Sequence, residues 1–62
     1  MNLISNLKLQ RVIRDKTQYE VADAIGIKQS YLSLLENKQA VLTPELLKKL
    51  SEYYKVEQKE LI

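Results

Sequence analysis

The strongest structural signals in this 62-residue chain lie in the segment TQYEVADAIGIKQSYLSLLEN, residues 17–37. Thr17 and Glu20 have the spacing of a capping box, in which each side chain accepts a hydrogen bond from the other residue's backbone N–H group. Gly26 marks the end of that helix, because glycine enters the left-handed backbone region without steric cost. A second segment with helical apolar spacing follows, so we predict helices over residues 18–25 and 29–36.

Two short helices joined by a turn that contains glycine predict a helix-turn-helix motif. Ala22 must be small where the helices cross, Gly26 makes the turn sharp, and Leu32 fills the angle between them. Leu32 and Leu35 are expected in the core, and Ile27 is expected to be a buried anchor between the helices. The opposite face of the helix predicted over residues 29–36 is polar, so this face is available to bind a partner.

The segment before the motif predicts a helix over residues 3–14 with apolar side chains on two sides. Leu3, Ile4 and Leu7 fall on one side, and Leu9, Val12 and Ile13 fall on the other. A helix of this kind is either enclosed on both sides or presents one side to a partner.

The segment after the motif predicts a loop over residues 37–42, a fourth helix and a last short helical turn. Thr43, Pro44 and Glu45 form a start signal of a capping hydroxyl, a proline at the first helical position and an acid. Apolar positions follow at Leu46, Leu47, Leu50 and Tyr54. The turn over residues 57–62 returns Leu61 to the core. The sequence therefore predicts an all-α bundle of five helices, with residues 1–62 as a single domain.

The composition excludes several classes of protein. The chain has no cysteine and no histidine, so it lacks disulfides, thiolate metal ligands and the commonest acid–base group. We therefore expect no catalytic residue, no metal and no cofactor, and an enzyme is a poor interpretation of so short a chain. No apolar stretch exceeds three residues, so we expect no membrane span, no signal peptide and a cytoplasmic location.

The charge is distributed unevenly, although the net charge is only +2. Residues 1–42 carry six Lys and Arg side chains against four Asp and Glu, whereas residues 43–62 carry four of each. The asymmetry indicates an anionic partner for the first part of the chain, but many ordinary proteins have such a charge.

The combined motif resembles the Cro/repressor-type helix-turn-helix family, which includes lambdoid phage repressors. The residues that carry the resemblance are Arg11, Thr17, Gln18, Ala22, Gly26, Leu32, Glu36 and Asn37, and it continues over residues 44–61. It implies a DNA-binding transcriptional regulator, most simply a repressor. Three features depart from the family pattern: Lys38 replaces a glycine, Pro44 comes late, and Lys28 replaces a capping Ser or Thr. The loop after residue 37 is therefore expected to differ.

The resemblance implies that the second helix of the motif lies in the major groove of DNA. The candidate base contacts are Gln29, Ser30, Ser33 and Leu34. Gln29 can bond adenine through two atoms. Leu34 either meets a thymine methyl group or is an ordinary surface leucine. The candidate contacts to the DNA backbone are Gln18, Lys28, Asn37, Lys38 and Gln39. Arg11 and Glu36 match a family pair that joins beneath the recognition helix, which is a structural role.

Family members read palindromic operators as dimers, and the resemblance implies a weak homodimer that is completed on DNA. The surface expected to form it comprises Tyr53, Val56, Leu61 and Ile62, although Tyr54, Val56 and Leu61 are also needed by the core. Since no segment follows the domain, regulation is expected from protein concentration or a separate regulatory protein, without a small-molecule ligand or a membrane. The alternative is a protein–protein module, such as an antitoxin or anti-repressor partner, that uses the first helix or the Tyr53–Tyr54 pair.

Overall fold

The computed structural model describes residues 5–62, which form four α-helices and a 3-10 turn. The helices are α1 (Asn6–Val12), α2 (Gln18–Ile25), α3 (Gln29–Glu36) and α4 (Pro44–Tyr54), and the turn is Gln58–Glu60. The predicted all-α class is confirmed, as are the positions of α2 and α3. The predicted fifth helix is only a single 3-10 turn. The Glu57 N–H donates to the Glu60 carboxylate at 3.0 Å, and the Glu60 N–H donates to the Glu57 carbonyl oxygen at 3.0 Å, which closes this one turn.

The first helix is shorter than the 3–14 range predicted from its apolar spacing. Ser5 begins it by accepting a hydrogen bond from the Lys8 N–H at 3.1 Å. At its other end Asp15 adopts the left-handed conformation, with φ of 56°. The predicted positions of Leu3 and Ile4 lie outside the described residues.

Each of the four helices formed by residues 5–62 is followed by a residue in the left-handed conformation. At the ends of α1, α2 and α3, the N–H of the left-handed residue and the N–H of the residue after it both donate to carbonyl oxygens of the preceding helix. This is a Schellman arrangement. Gly26 takes this conformation without strain. The other three positions are Asp15, Lys38 (φ 61°) and Lys55 (φ 59°), where a side chain is present. Left-handed geometry costs a non-glycine residue about 1–2 kcal/mol, so these three helix ends are strained.

The core lies between the four helices and is closed by the end of the chain. Its buried apolar members are Leu7, Val21, Ala22, Ile25, Leu32, Leu35, Leu46, Leu50, Tyr54 and Leu61. The predicted inward positions of α2 and α3 and the return of Leu61 are thereby confirmed. Ile27 and Leu47 are only partly buried. Ile13, in contrast, is 63% exposed, and Val12 is also exposed, so α1 buries only one of its two apolar sides.

Arg14 joins the end of α1 to the end of α4. Its guanidinium lies 5.0 Å from the centre of the Tyr54 ring and donates to the Tyr54 carbonyl oxygen at 2.9 Å. A second donor of Arg14 contacts the Gln10 carbonyl oxygen at 2.7 Å. Burial raises the pKa of the Tyr54 hydroxyl well above its usual value, and the negative charge of Glu36 raises it further. The interaction is therefore between a cation and a neutral ring.

Candidate nucleic-acid interface

The turn between α2 and α3 has the conformation that Gly26 predicts. The φ angle of Gly26 is 79°, and the N–H of the next residue, Ile27, donates to the Ala22 carbonyl oxygen at 2.9 Å. A Cβ atom at Gly26 would meet no atom within 4 Å. Glycine is therefore favoured here by backbone conformation and not by lack of space. Ala22 and Leu32 are both buried, in keeping with their predicted packing in the motif.

The start of α2 has the predicted capping box. The Thr17 hydroxyl accepts from the Glu20 N–H at 3.1 Å, and the Glu20 carboxylate accepts from the Thr17 N–H at 2.9 Å. The hydrogen bond from the Thr17 N–H lowers the pKa of the Glu20 carboxyl, and the nearby Thr17 hydroxyl lowers it further. The box fixes where Gln18, the next residue, enters the helix.

The outer face of α3 carries the four predicted base-contact residues. Ser30 is exposed, Leu34 is 43% exposed, and Gln29 and Ser33 are half-buried. Leu32 and Leu35 occupy the opposite face and are buried in the core. α3 is therefore held from one side and open on the other.

Arg11 and Glu36 form the ion pair that the resemblance implied. Arg11 Nε donates to Glu36 Oε2 at 2.8 Å, and Arg11 Nη2 donates to Glu36 Oε1 at 3.2 Å. Glu36 is only 2% exposed, and a further Arg11 nitrogen donates to the Lys16 carbonyl oxygen at 2.8 Å. The pair therefore links α1, the turn that follows it, and the end of α3.

The ion pair continues into a chain of hydrogen bonds that reaches the start of α3. Gln18 Nε2 donates to Glu36 Oε1 at 2.9 Å, and Gln29 Nε2 donates to Gln18 Oε1. The sequence indicated separate roles for Gln18 and Gln29, and it held no signal that they contact each other. The structure brings them together because the start of α2 lies beside both ends of α3. Gln29 is therefore oriented from within the protein.

The residues after α3 form the predicted loop, in which residues 37–39 and Val41 are exposed and Ala40 and Leu42 are half-buried. Asn37 Nδ2 contacts Ser33 Oγ at 3.4 Å, and Gln39 N–H donates to the Leu34 carbonyl oxygen at 2.8 Å. Between them Lys38 takes the left-handed conformation that a glycine would adopt most readily. Lys38 stands where the family pattern has a glycine, and it keeps the left-handed conformation at the cost of backbone strain.

Two lysines stand at opposite ends of α3. Lys28 precedes the helix and makes no capping hydrogen bond with its side chain, as its residue type predicts. Lys28 and Lys38 are exposed. Within residues 5–62 the ion pairs are Arg11–Glu36 and Lys59–Glu57, so both lysines keep an uncompensated charge. Charge at both ends of α3 suits a polyanionic partner.

The residues predicted for a dimer surface are only partly available. Leu61, one of the residues predicted for that surface, is buried in the core. Tyr53 and Val56 are half-buried, and the Tyr53 ring packs edge-on against Tyr54 at 5.2 Å. Ile62 is 73% exposed. The Tyr53–Tyr54 pair expected to bind a protein partner is also only partly accessible, because Tyr54 is buried.

No group of three or more acidic, histidine or cysteine side chains that could hold a metal ion occurs among residues 5–62. Nor does any helix in this part of the chain have the length and apolar character that crossing a membrane requires.

Comparison with known proteins agrees with the geometry. A sequence model of the helix-turn-helix family matches residues 7–61, which is nearly the whole chain. Searches of curated proteins and of solved structures returned no significant match.

Proposed function

Because the chain belongs to the Cro/repressor-type helix-turn-helix family of DNA-binding regulators, we propose that it represses transcription by binding a palindromic operator. Two copies would bind the operator, each with α3 in the major groove, and would block access of polymerase. The observation that carries the proposal is the orientation of Gln29 on α3 by the side chain of Gln18.

Gln29 retains the atoms that adenine recognition requires. An amide nitrogen has two N–H groups, and only one of those of Gln29 is used by Gln18. The second N–H and Oε1 match N7 and the N6 amino group of adenine. Ser30 and Ser33 provide hydroxyl groups on the same face, and Leu34 offers an apolar surface to a thymine methyl group.

The residues around α3 supply the contacts to phosphate. Gln18 lies at the start of α2, where free N–H groups and the helix dipole favour an anion. Lys28 and Lys38 place positive charge at the two ends of α3, and Asn37 and Gln39 extend that surface. These contacts position α3 without selecting a sequence.

A dimer follows from the small number of bases that one α3 can read. Two copies on successive turns of DNA place their recognition helices roughly 34 Å apart. Of the residues predicted for the interface, Tyr53, Val56 and Ile62 keep accessible surface.

Selection of bound sequences from a pool of random duplex DNA tests this function. The expected result is enrichment of a palindrome whose half-sites are centred about 10 base pairs apart. No detectable binding to any duplex at roughly 50 mM salt would exclude it, because phosphate contacts are strongest at low salt.

A protein-binding function is the second candidate, and exposed Val12 and Ile13 on α1 favour it. Both lie on the side of α1 that the core leaves uncovered. If no duplex is bound, this surface becomes the first to examine. Substitution of Ile13 by Ser would then weaken partner capture without lowering the thermal stability of the fold.

A further inference from the structure

Four polar side chains form a continuous chain of hydrogen bonds from α1 to the start of α3. Arg11 Nε donates to Glu36 Oε2 at 2.8 Å, and Gln18 Nε2 donates to Glu36 Oε1 at 2.9 Å. Gln29 Nε2 then donates to Gln18 Oε1. In each glutamine the amide nitrogen donates toward the carboxylate. The hydrogen bonds of the two glutamines therefore run in one direction, from the surface of α3 to the buried ion pair.

Glu36 determines that direction, because its carboxylate can only accept. Both of its oxygens accept hydrogen bonds from Arg11, whose guanidinium has donors and no acceptor. Glu36 is buried, so its oxygens depend on protein donors. A Gln18 amide turned the other way would place its oxygen against this carboxylate, and two acceptors would face each other. Gln18 must therefore turn its nitrogen to Glu36 and its oxygen to Gln29.

The direction of the chain decides which groups of Gln29 remain for DNA. Because Gln18 presents an acceptor, Gln29 donates one of its amide N–H groups to it. One N–H and Oε1 are left, which makes one donor and one acceptor. In the major groove adenine offers the complementary pair, N7 and the N6 amino group, whereas guanine offers two acceptors, N7 and O6. An amide oriented in this way matches adenine and does not match guanine.

We propose that Glu36 determines base specificity: through Gln18 it sets the donor and acceptor arrangement with which Gln29 distinguishes adenine from guanine. The proposal rests on the function proposed above, in which α3 reads the major groove. Glu36 is a positioning residue in this scheme, since it is buried and acts through another side chain. The carboxylate then has a second role beside holding α3 in place.

Glu36→Gln should reverse the chain with a side chain of nearly the same shape. Arg11 Nε makes the shorter of the two Arg11 bonds, 2.8 Å against 3.2 Å, so it retains the one oxygen of the new amide. The new amide nitrogen then faces Gln18, which turns its oxygen toward it and its own nitrogen toward Gln29. Gln29 must now accept, and both of its N–H groups become available. Two donors match the two acceptors of guanine.

Two further variants separate the direction of the hydrogen bonds from the strength of the ion pair. Arg11→Lys weakens the pair, because an ammonium group cannot reproduce the forked contact of a guanidinium, but it leaves the Glu36 carboxylate as an acceptor. Gln18→Met keeps the length of the side chain and removes its donor and acceptor. Gln29 can then turn its amide either way. Glu36→Gln alone reverses the chain.

Binding to two matched operators measures the effect. They carry A·T or G·C in both half-sites at the base pair where Gln29→Ala loses selectivity. The wild-type chain and Arg11→Lys should prefer the A·T operator by roughly fivefold or more for each half-site. For Glu36→Gln the preference should disappear or pass to the G·C operator, and for Gln18→Met it should disappear. Thermal unfolding of each protein shows which variants are folded.

An unchanged preference in folded Glu36→Gln would overturn the proposal. An equal loss of preference in Arg11→Lys would also overturn it, since selectivity would then follow the strength of the ion pair. A wild-type chain that binds DNA without preferring A·T at this position is a third contrary result. If Glu36→Gln does not fold, Gln18→Met decides, and an unchanged preference in that variant counts against the proposal. Failure of the wild-type chain to bind any duplex would overturn the proposed function instead, so the two failures are distinguishable.

Discussion

Gln18 and Gln29 are the residues at which internal structure and proposed DNA recognition meet. Gln18 donates to buried Glu36 and accepts from Gln29, so each glutamine restricts the rotamer of the next. A recognition side chain that is oriented before binding loses less conformational entropy in the complex. The two residues should therefore act together in DNA binding.

Alanine substitutions test this coupling. Gln29→Ala should weaken binding to the best operator by about 1–3 kcal/mol and relax selectivity at one base pair. Gln18→Ala should weaken binding to all sequences, because a phosphate contact is lost, and should also relax selectivity at that same base pair. The double variant should lose less than the sum of the two. Dissociation constants on a panel of operator variants would show this. Strictly additive losses would mean that the glutamines act independently.

Lys38 offers a test of strain at a single residue. Lys38→Gly should stabilise the fold by about 0.5–1 kcal/mol, because glycine adopts a φ of 61° without steric cost. Lys38→Ala is the matched control, since it removes the same charge but keeps the strained backbone. Thermal unfolding should show a gain only for the glycine variant, and both variants should bind DNA more weakly. A gain of equal size in both would attribute the effect to charge.

The helix-turn-helix pair is held by side chains beneath it as well as by its own packing. Glu36 at the end of α3 accepts hydrogen bonds from Arg11 on α1 and from Gln18 on α2. Because this carboxylate is buried, its partners compensate for its lost hydration. The angle of α3 therefore depends on all three helices.

The Arg11–Glu36 pair leads to a prediction about double variants. Arg11→Met or Glu36→Leu alone should destabilise the fold by about 3–5 kcal/mol, because each leaves a charge without its partner. The double variant should be close to the wild-type chain in stability, although Gln18 then loses its acceptor. Urea unfolding of the four proteins measures the cycle. Additive losses would contradict coupling between the two side chains.

The crossing of α2 and α3 can be tested with two alanines of the same helix. Ala22 is buried and Ala24 is exposed. Ala22→Leu should cost about 1–3 kcal/mol because the extra carbons overpack the core. Ala24→Leu should leave the unfolding midpoint nearly unchanged. If both variants melt like the wild-type chain, the close approach at Ala22 does not exist.

The elements that could be predicted from sequence are those whose ends are marked by local side-chain chemistry. Thr17 with Glu20, and Thr43 with Pro44, cap helices through residues within one turn, so the starts of α2 and α4 were predictable. The end of α1 was not. Asp15 closes it with backbone hydrogen bonds in the left-handed conformation. Aspartate adopts this conformation more often than most non-glycine residues, but too seldom to mark a helix end by itself.

Contacts between distant parts of the chain were predictable only where the family resemblance supplied them. The Arg11–Glu36 pair was expected on that ground, whereas the contact of Arg14 with Tyr54 joins residues 40 positions apart and has no local signal. The Gln18–Gln29 bond depends in the same way on the angle between two helices. A groove lined by Leu7, Leu35 and Ile62 exists only after α1, α3 and the chain end have packed together.

The whole molecule is nearly neutral, but exposed lysines stand at both ends of α3. The net charge is +2, yet Lys28 and Lys38 stand unpaired at the two ends of α3. Arg11 and Arg14 are engaged inside the fold and contribute little to that surface. Electrostatic attraction to DNA should therefore depend on few cations in each copy.

This small number sets the expected salt dependence of operator binding. If Lys28 and Lys38 of two copies each release one counterion from phosphate, the logarithm of the binding constant should fall with the logarithm of salt concentration with a slope of about −4. Lys28→Gln should reduce the magnitude of the slope by about 2, because one contact is lost from each copy. Lys59→Gln is the control, since that lysine already pairs with Glu57 in the 3-10 turn. Fluorescence anisotropy at several salt concentrations measures the slopes. An unchanged slope for Lys28→Gln would remove this lysine from the phosphate contacts, and a reduced slope for Lys59→Gln would place DNA on a different face of the molecule.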